Sequence, residues 1–248
     1  MSLSSSALAS PSPPVGYLAL VRGNRDFRRV WLGEVVSLTG DWFTSIALFS
    51  MLLEFTGRGE AVGYALVARF LPSVLFGPAA GVLADRVSRR AILVTCDLLR
   101  AVVVLGFLLV RDGRDVWLIY LLVFLQTSAS AFFEPAEQAA VGAVVRREEI
   151  VAANTLQGIT WSAMMAFGAL AGGMVTAALG VKLAFLVDSA TYLVSAVLVA
   201  GARIPRAAPS ARPAGLVSVL GLTDLREGLA FVRGRRDVAR LILAKSGW

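Results

Sequence analysis

Six stretches of the chain, at 30–54, 61–84, 91–110, 116–136, 152–179 and 181–202, are apolar for 20 residues or more. A helix needs about 20 such residues to cross the hydrocarbon core of a bilayer. No water is available there, so each backbone amide and carbonyl must find its partner inside the protein, which leaves helices and closed barrels. Barrel strands are about 10 residues of alternating polarity. These runs are twice that length and do not alternate. The pattern therefore predicts an all-α membrane protein with six transmembrane helices. Composition agrees: 57% of the residues are hydrophobic and only 17% charged, against about 25% charged in a soluble domain.

The charge that remains lies mostly between the runs. Arg22, Arg25, Arg28 and Arg29 precede the first span; Arg86, Arg89 and Arg90 follow the second; Arg146 and Arg147 follow the fourth; seven arginines from Arg203 to Arg236 follow the sixth. The other connections carry Arg58, Lys182, and an Arg111–Arg114 pair diluted by Asp112 and Asp115. Basic residues collect on the cytoplasmic side of a membrane protein, so this alternation predicts a cytoplasmic N-terminus and an even number of crossings. The net charge of +7 is then a topology signal, and no nucleic-acid partner is inferred from it. The location expected is a bacterial inner or plasma membrane, with the lipid bilayer as a partner.

The same reading divides the chain. Residues 1–21, rich at their start in Ser, Ala and Pro, are expected to be a disordered tail, and 22–202 a six-helix transmembrane bundle. Residues 203–237 read as a cytoplasmic linker containing an amphipathic helix, with Leu222, Leu225, Leu229 and Val232 on one side. Residues 238–248 (VARLILAKSGW) read as the truncated start of a seventh span.

A displacement of 91 residues superposes special positions of the bundle without gaps. Gly77–Gly81 (GPAAG) falls on Gly168–Gly172 (GALAG), Asp97 on Asp188, and Ala61 on Ala152. The two triplets of spans enter the membrane from opposite sides, so the repeat is a 3+3 inverted one, a feature of secondary transporter folds.

Ionisable side chains inside spans are costly and mark function. In the first span Glu34, Ser37, Asp41 and Ser45 recur at steps of three and four, which places them on one helical stripe. Asp41 is the best candidate for an acid that carries a proton or touches cargo, with structural hydrogen bonding as the alternative. Arg69 lies deep in the second span and needs an acidic partner, Asp41 first. Asp97 and Arg100, three apart in the third span, can form a buried charge pair. Asp188 is expected to serve similarly in the sixth. Asn154, Gln157, Trp161, Gly168 and Gly172 share a face of the fifth span; Tyr120, Phe124 and Thr127 share one in the fourth. With Met165 they would suit a bulky, partly apolar ligand, or simply pack between helices. With no histidine and one cysteine, Cys96, in the chain, neither a metal site nor His-based catalysis is expected. The chain has no Gly-x-x-x-x-Gly-Lys-Ser/Thr loop for a nucleotide. It is read as a non-enzyme with no cofactor.

The connection GVLADRVSRRAIL resembles motif A of the major facilitator superfamily: Gly81, Leu83, Asp85, Arg86, Arg89 and Arg90 match, and Ser88 stands where the pattern has Gly. GALAGG resembles the antiporter motif C, with Gly168, Gly172 and Gly173 in place and Ala169 for Pro. FRRVWLGEVVSLTGDW, SAFFEPAEQAAV and VAANTLQGITW are similar to the exporter branch that includes the enterobactin exporter and macrolide efflux proteins. The resemblance covers about residues 26–248. It implies the N-terminal half of a twelve-helix fold, with the C-terminal half as the missing partner. It further implies secondary active export of a small organic compound, of drug or siderophore type, by alternating access. Protons would be the antiported ion, motif C carrying that expectation. Gly81 would let the second helix pack closely on a neighbour, and Asp85, Arg86, Arg89 and Arg90 would form a cytoplasmic gate; the arginines could equally be topology anchors. The family's fourth-helix Arg is absent, and Gln126 is the nearest polar residue. The alternative is a non-transporting or degenerate half-transporter.

Overall fold

The computed structural model describes residues 16–206. The amphipathic helix expected at 216–234, the seventh-span start at 238–248 and most of the N-terminal tail lie outside the described residues.

The first described element is a short helix, α1 (Tyr17–Gly23), so the end of the segment expected to be disordered is helical. Six long helices follow: α2 (Arg25–Thr56), α3 (Gly59–Arg86), α4 (Arg89–Gly106), α5 (Val116–Val144), α6 (Ile150–Leu179) and α7 (Val181–Ala200). Each, α4 together with the short turn of 3-10 helix that continues it to Leu109, is long and apolar enough to cross a membrane, and no strand occurs among the described residues.

Local chemistry sets the ends. Asn24 caps α2: its Oδ1 accepts from the Phe27 amide at 2.9 Å, satisfying one of the free amides at a helix start. Its Nδ2 donates to the Val144 carbonyl at 2.7 Å, tying the start of α2 to the end of α5. Gly57 closes α2 with φ 64°, a left-handed conformation that only glycine adopts without strain. Before α6, Arg146 Nη2 pairs with Glu149 at 2.7 Å while the Arg146 amide donates to the same carboxylate at 2.9 Å. α3 holds two prolines, Pro72 and Pro78, and α5 one, Pro135.

α2 and α7 make the most extensive helix pair, with α4 against the other side of α7. A stripe of small residues on α2, Gly33, Ser37, Gly40 and Thr44, is buried. A Cβ on Gly40 would lie 2.9 Å from the Asp188 backbone and would strike the Thr191 and Asp188 side chains. Lipid gives apolar faces no reason to associate, so van der Waals contact between closely approached backbones drives such packing. Ser189 Oγ on α7 donates to the Ala101 carbonyl of α4 at 3.0 Å. α3 packs on α5, α2 on α6, and α4 on α5. Exchanging the triplet α2–α3–α4 for α5–α6–α7 maps the α2–α7 pair onto α5–α4, and the α3–α5 pair onto α6–α2. A two-fold relation between the triplets, as in the 3+3 repeats of secondary transporters, produces this interchange.

Candidate functional site

Helices α2, α3, α5 and α6 enclose a cavity of about 550 Å³. The polar stripe read from the first span faces it: Glu34, Ser37, Asp41 and Ser45 all line its wall. α5 contributes Gln126, Thr127, Ser130, Glu134 and Glu137; α6 contributes Gln157 and Trp161; α3 contributes Arg69. Phe49, Phe70 and Phe133 supply the apolar part of the lining. From behind, α4 extends Arg100 into the same wall.

Of the residues expected to share this pathway, Glu34, Asp41, Arg69, Gln157 and Trp161 are brought together, and Gln157 Nε2 donates to Glu34 at 3.2 Å. Asn154 is exposed and outside the lining. Gly168 and Gly172 turn away from the cavity to seat α6 on α2: a Cβ on Gly168 would meet Trp42 at 3.0 Å, and one on Gly172 the Phe43 backbone at 3.1 Å. Gly173 makes no such approach. Of Tyr120, Phe124 and Thr127 in the fourth span, Thr127 lines the cavity; Tyr120 donates to the Ala61 carbonyl at 3.3 Å, and Phe124 packs edge-on to Phe76.

Three expected partnerships are corrected. Arg69 makes no ion pair with Asp41; its Nη1 donates to Ser45 Oγ at 2.8 Å, and Ser45 in turn donates to the Asp41 carbonyl at 2.7 Å. Arg69 is exposed at the cavity, so burial does not impose an ion pair on it. Asp188 does not repeat the ion pair of Asp97. Thr191 occupies the position corresponding to Arg100 and donates to Asp188 Oδ1 at 3.3 Å, while Asp188 Oδ2 is buried without a hydrogen bond. Gly81 is not a close-packing point among the described residues, since nothing lies within 4 Å of a Cβ placed there. With Gly77, Asp85, Pro135 and Ala139 it lines a shallow groove between α3 and α5.

Asp97 and Arg100 are paired and deeply buried. Asp97 also accepts from Ser195 Oγ at 2.7 Å. The Arg100 guanidinium lies 4.1 Å from the Phe133 ring centroid and 4.5 Å from that of Tyr192. Tyr192, fully buried, donates its hydroxyl proton to Asp41 and accepts from Gln126 Nε2 at 3.0 Å. Sequence reasoning missed Tyr192, Glu134 and Glu137. The two glutamates, three apart, were available as a signal in FFEPAEQ.

At the α3–α4 turn, Asp85 and Arg90 are exposed, Arg86 is half-buried, and Arg89 Nη1 donates to the Ala139 carbonyl at 3.2 Å. That bond fastens the loop to the end of α5.

The model of the transmembrane secretion effector family matches residues 18–246. The chain is 28% identical over 228 residues to the MFS-type transporter YkuC of Bacillus subtilis, covering 88% of this chain and 52% of YkuC. It is 26% identical over 223 residues to macrolide efflux protein A of Streptococcus pyogenes, covering 88% and 53% respectively. The chain therefore spans about half the length of the curated relatives it matches. A six-helix inverted repeat around a polar cavity, matched to that family model over nearly its whole length, makes this chain a multi-pass membrane protein of the transmembrane secretion effector family, within the major facilitator superfamily.

Proposed function

We propose that the chain forms one wall of the pathway of a secondary active exporter of organic compounds, which works by alternating access and exchanges its cargo for protons. The observation that carries this is the cavity: carboxyl groups of Glu34, Asp41, Glu134 and Glu137 share a space inside the membrane span with Phe49, Phe70 and Trp161. An aromatic lining suits a bulky, partly apolar compound, and an acid in a site that alternates between wet and dry can take up and release a proton. Asp41 is the proton-carrying residue, and Arg69, Gln157 and Trp161 contact the cargo, whereas Asn154, outside the lining, does not. Asp85 with Arg86, Arg89 and Arg90 forms the gate on the cytoplasmic side, and the Gly81 groove receives a helix of the second half. The N-terminus lies in the cytoplasm, the protein in the cell membrane.

The test measures accumulation in a bacterial host depleted of its own efflux pumps and expressing the complete gene product. Erythromycin, a macrolide, and ferric enterobactin, a siderophore, are the first probes. Lower accumulation that a protonophore abolishes supports the reading. Unchanged, still proton-dependent efflux by Asp41→Asn removes Asp41 from it. No change in accumulation of any compound across a broad panel would favour the non-transporting alternative.

A further inference from the structure

We propose that Arg69 selects the cargo: its guanidinium, held by Ser45, is the docking point for a carboxylate, and the cavity takes an amphoteric aromatic compound whose basic amine faces the carboxyl groups at the opposite end. The inference deepens the reading of the cavity as the cargo site and rests on it.

Two cations, Arg69 and Arg100, line the cavity. The Arg100 side chain is 4% exposed and paired to Asp97, so it is closed to a ligand. Arg69 is exposed, and among the described residues it makes no ion pair, although four carboxyl groups share its cavity. Ser45 holds it: Arg69 Nη1 donates to Ser45 Oγ at 2.8 Å. The Ser45 hydroxyl proton is committed to the Asp41 carbonyl at 2.7 Å, which leaves its oxygen to accept from Arg69. Ser45 is itself buried, so the anchor is fixed. A guanidinium carries five N–H donors in a planar fork. The serine takes one of them, and an edge remains for a carboxylate, which such a fork binds through two parallel hydrogen bonds.

The acids stand at the other end of the cavity. The bond from Asn24 to Val144 ties the start of α2 to the end of α5. Glu34 on α2, and Glu134 and Glu137 on α5, lie within ten residues of those tied ends. Ser45, which sets the height of Arg69, is 11 residues beyond Glu34, about 16 Å along the helix at 1.5 Å per residue. Phe49 and Phe70 at the Arg69 end, with Trp161 on α6, give the cavity its apolar walls. A bare anion would bring no donor to the three glutamates. A bare cation would leave the guanidinium edge unpaired. Polar groups left unpaired in a closed site cost affinity. An ammonium group only donates and a carboxylate only accepts, so a compound that carries both, joined through an aromatic body, satisfies the two ends together.

Three probes of one frame test this. Ciprofloxacin is a fluorescent quinolone with an aromatic core, a carboxylate and a basic piperazine. Its methyl ester lacks the carboxylate, and its N-acetyl derivative lacks the basic amine. Fluorescence polarisation at one fixed pH measures their binding to the purified complete protein in lipid nanodiscs, with empty nanodiscs subtracted. Loss of a charge-assisted hydrogen bond weakens binding about tenfold or more. The ester and the N-acetyl compound are each expected to bind more weakly than ciprofloxacin by that factor. Arg69→Gln is expected to weaken ciprofloxacin equally and to leave the ester unchanged. Ser45→Ala, which releases the guanidinium from its anchor, is expected to weaken ciprofloxacin but not the ester, a difference that a merely structural serine would not produce. Ciprofloxacin and its ester bound alike, the N-acetyl compound bound like the parent, equal losses for parent and ester in Arg69→Gln, or no probe bound at all would each overturn the proposal. The ester and N-acetyl comparisons use the wild-type protein, so they decide even where a variant fails to fold. Binding needs no transport. Binding as stated, with ciprofloxacin accumulation in cells unchanged, would retire the exporter reading and leave this assignment standing. Export of parent and ester alike would overturn the assignment and leave the exporter.

Discussion

Replacing Gly40 by Ala adds a single carbon where α2 and α7 are closest. That carbon would sit 2.9 Å from the Cα of Asp188 and collide with the side chains of Thr191 and Asp188. Side chains can rotate away, but a backbone atom moves only with its helix, so α2 and α7 must separate. Overpacking of this kind costs about 1–3 kcal/mol, offset by roughly 0.5–1 kcal/mol from alanine's better helix propensity. A net loss of about 1.5 kcal/mol follows, which at about 1.4 kcal/mol per factor of ten raises the population of opened bundle roughly tenfold. Cys96 reports that opening. It is 6% exposed, on the face of α4 that packs against Ala84, Phe133 and Val199. Its rate of modification by a maleimide, followed by mass spectrometry of its peptide, should rise about tenfold in Gly40→Ala. The same change at Gly63, where nothing lies within 4 Å of the added carbon, should leave the rate unchanged. Equal Cys96 rates in wild type and Gly40→Ala would refute the claim that backbone approach between α2 and α7 holds the bundle.

Asn24→Ala removes the α2 cap and strands the Val144 carbonyl; a loss of about 1 kcal/mol is expected, read as a lower thermal midpoint in detergent. Ser195→Ala takes from Asp97 a buried donor and should cost about 1–3 kcal/mol by the same assay. Arg58→Cys and Lys182→Cys should react with an impermeant thiol reagent from the side opposite to Arg89→Cys, and labelling of all three from one side would break the alternating topology.

The spans were legible because bilayer thickness converts directly into a length of apolar sequence. The exception is instructive. The fourth apolar run ends at 136, whereas α5 continues to Val144. The hydropathy signal fades at Glu134, Glu137 and Gln138, which line the cavity, so the helix looked finished where its polar, site-forming part began. Helical periodicity placed Glu34, Asp41 and Ser45 on one face correctly, since that requires only the helix itself. It could not say at what height a neighbouring helix delivers its side chains, and so Arg69 was matched to Asp41 rather than Ser45. Repeat symmetry likewise predicted the position of Asp188 but not its chemistry, which turns on Thr191 standing where the first copy has Arg100. Tyr192 escaped notice because an aromatic in an apolar run carries no signal of its own; only the fold brings its hydroxyl to Asp41.

The prolines of α3 give the bundle uneven stiffness. Pro72 and Pro78 each lack the amide that a helix would direct to the carbonyl four residues earlier, and Pro135 repeats the defect in α5, the helix against which α3 packs. α2, α4 and α7 contain no proline and are locked by small residues and a buried ion pair. Bending is therefore cheapest in the wing formed by α3 and α5, which carries Arg69 and Glu134 on one side of the cavity. The three-helix spine that holds Asp41 and Tyr192 has no such defect, and Gln126 of α5, which donates to the Tyr192 hydroxyl, is the point where bending of the wing reaches it.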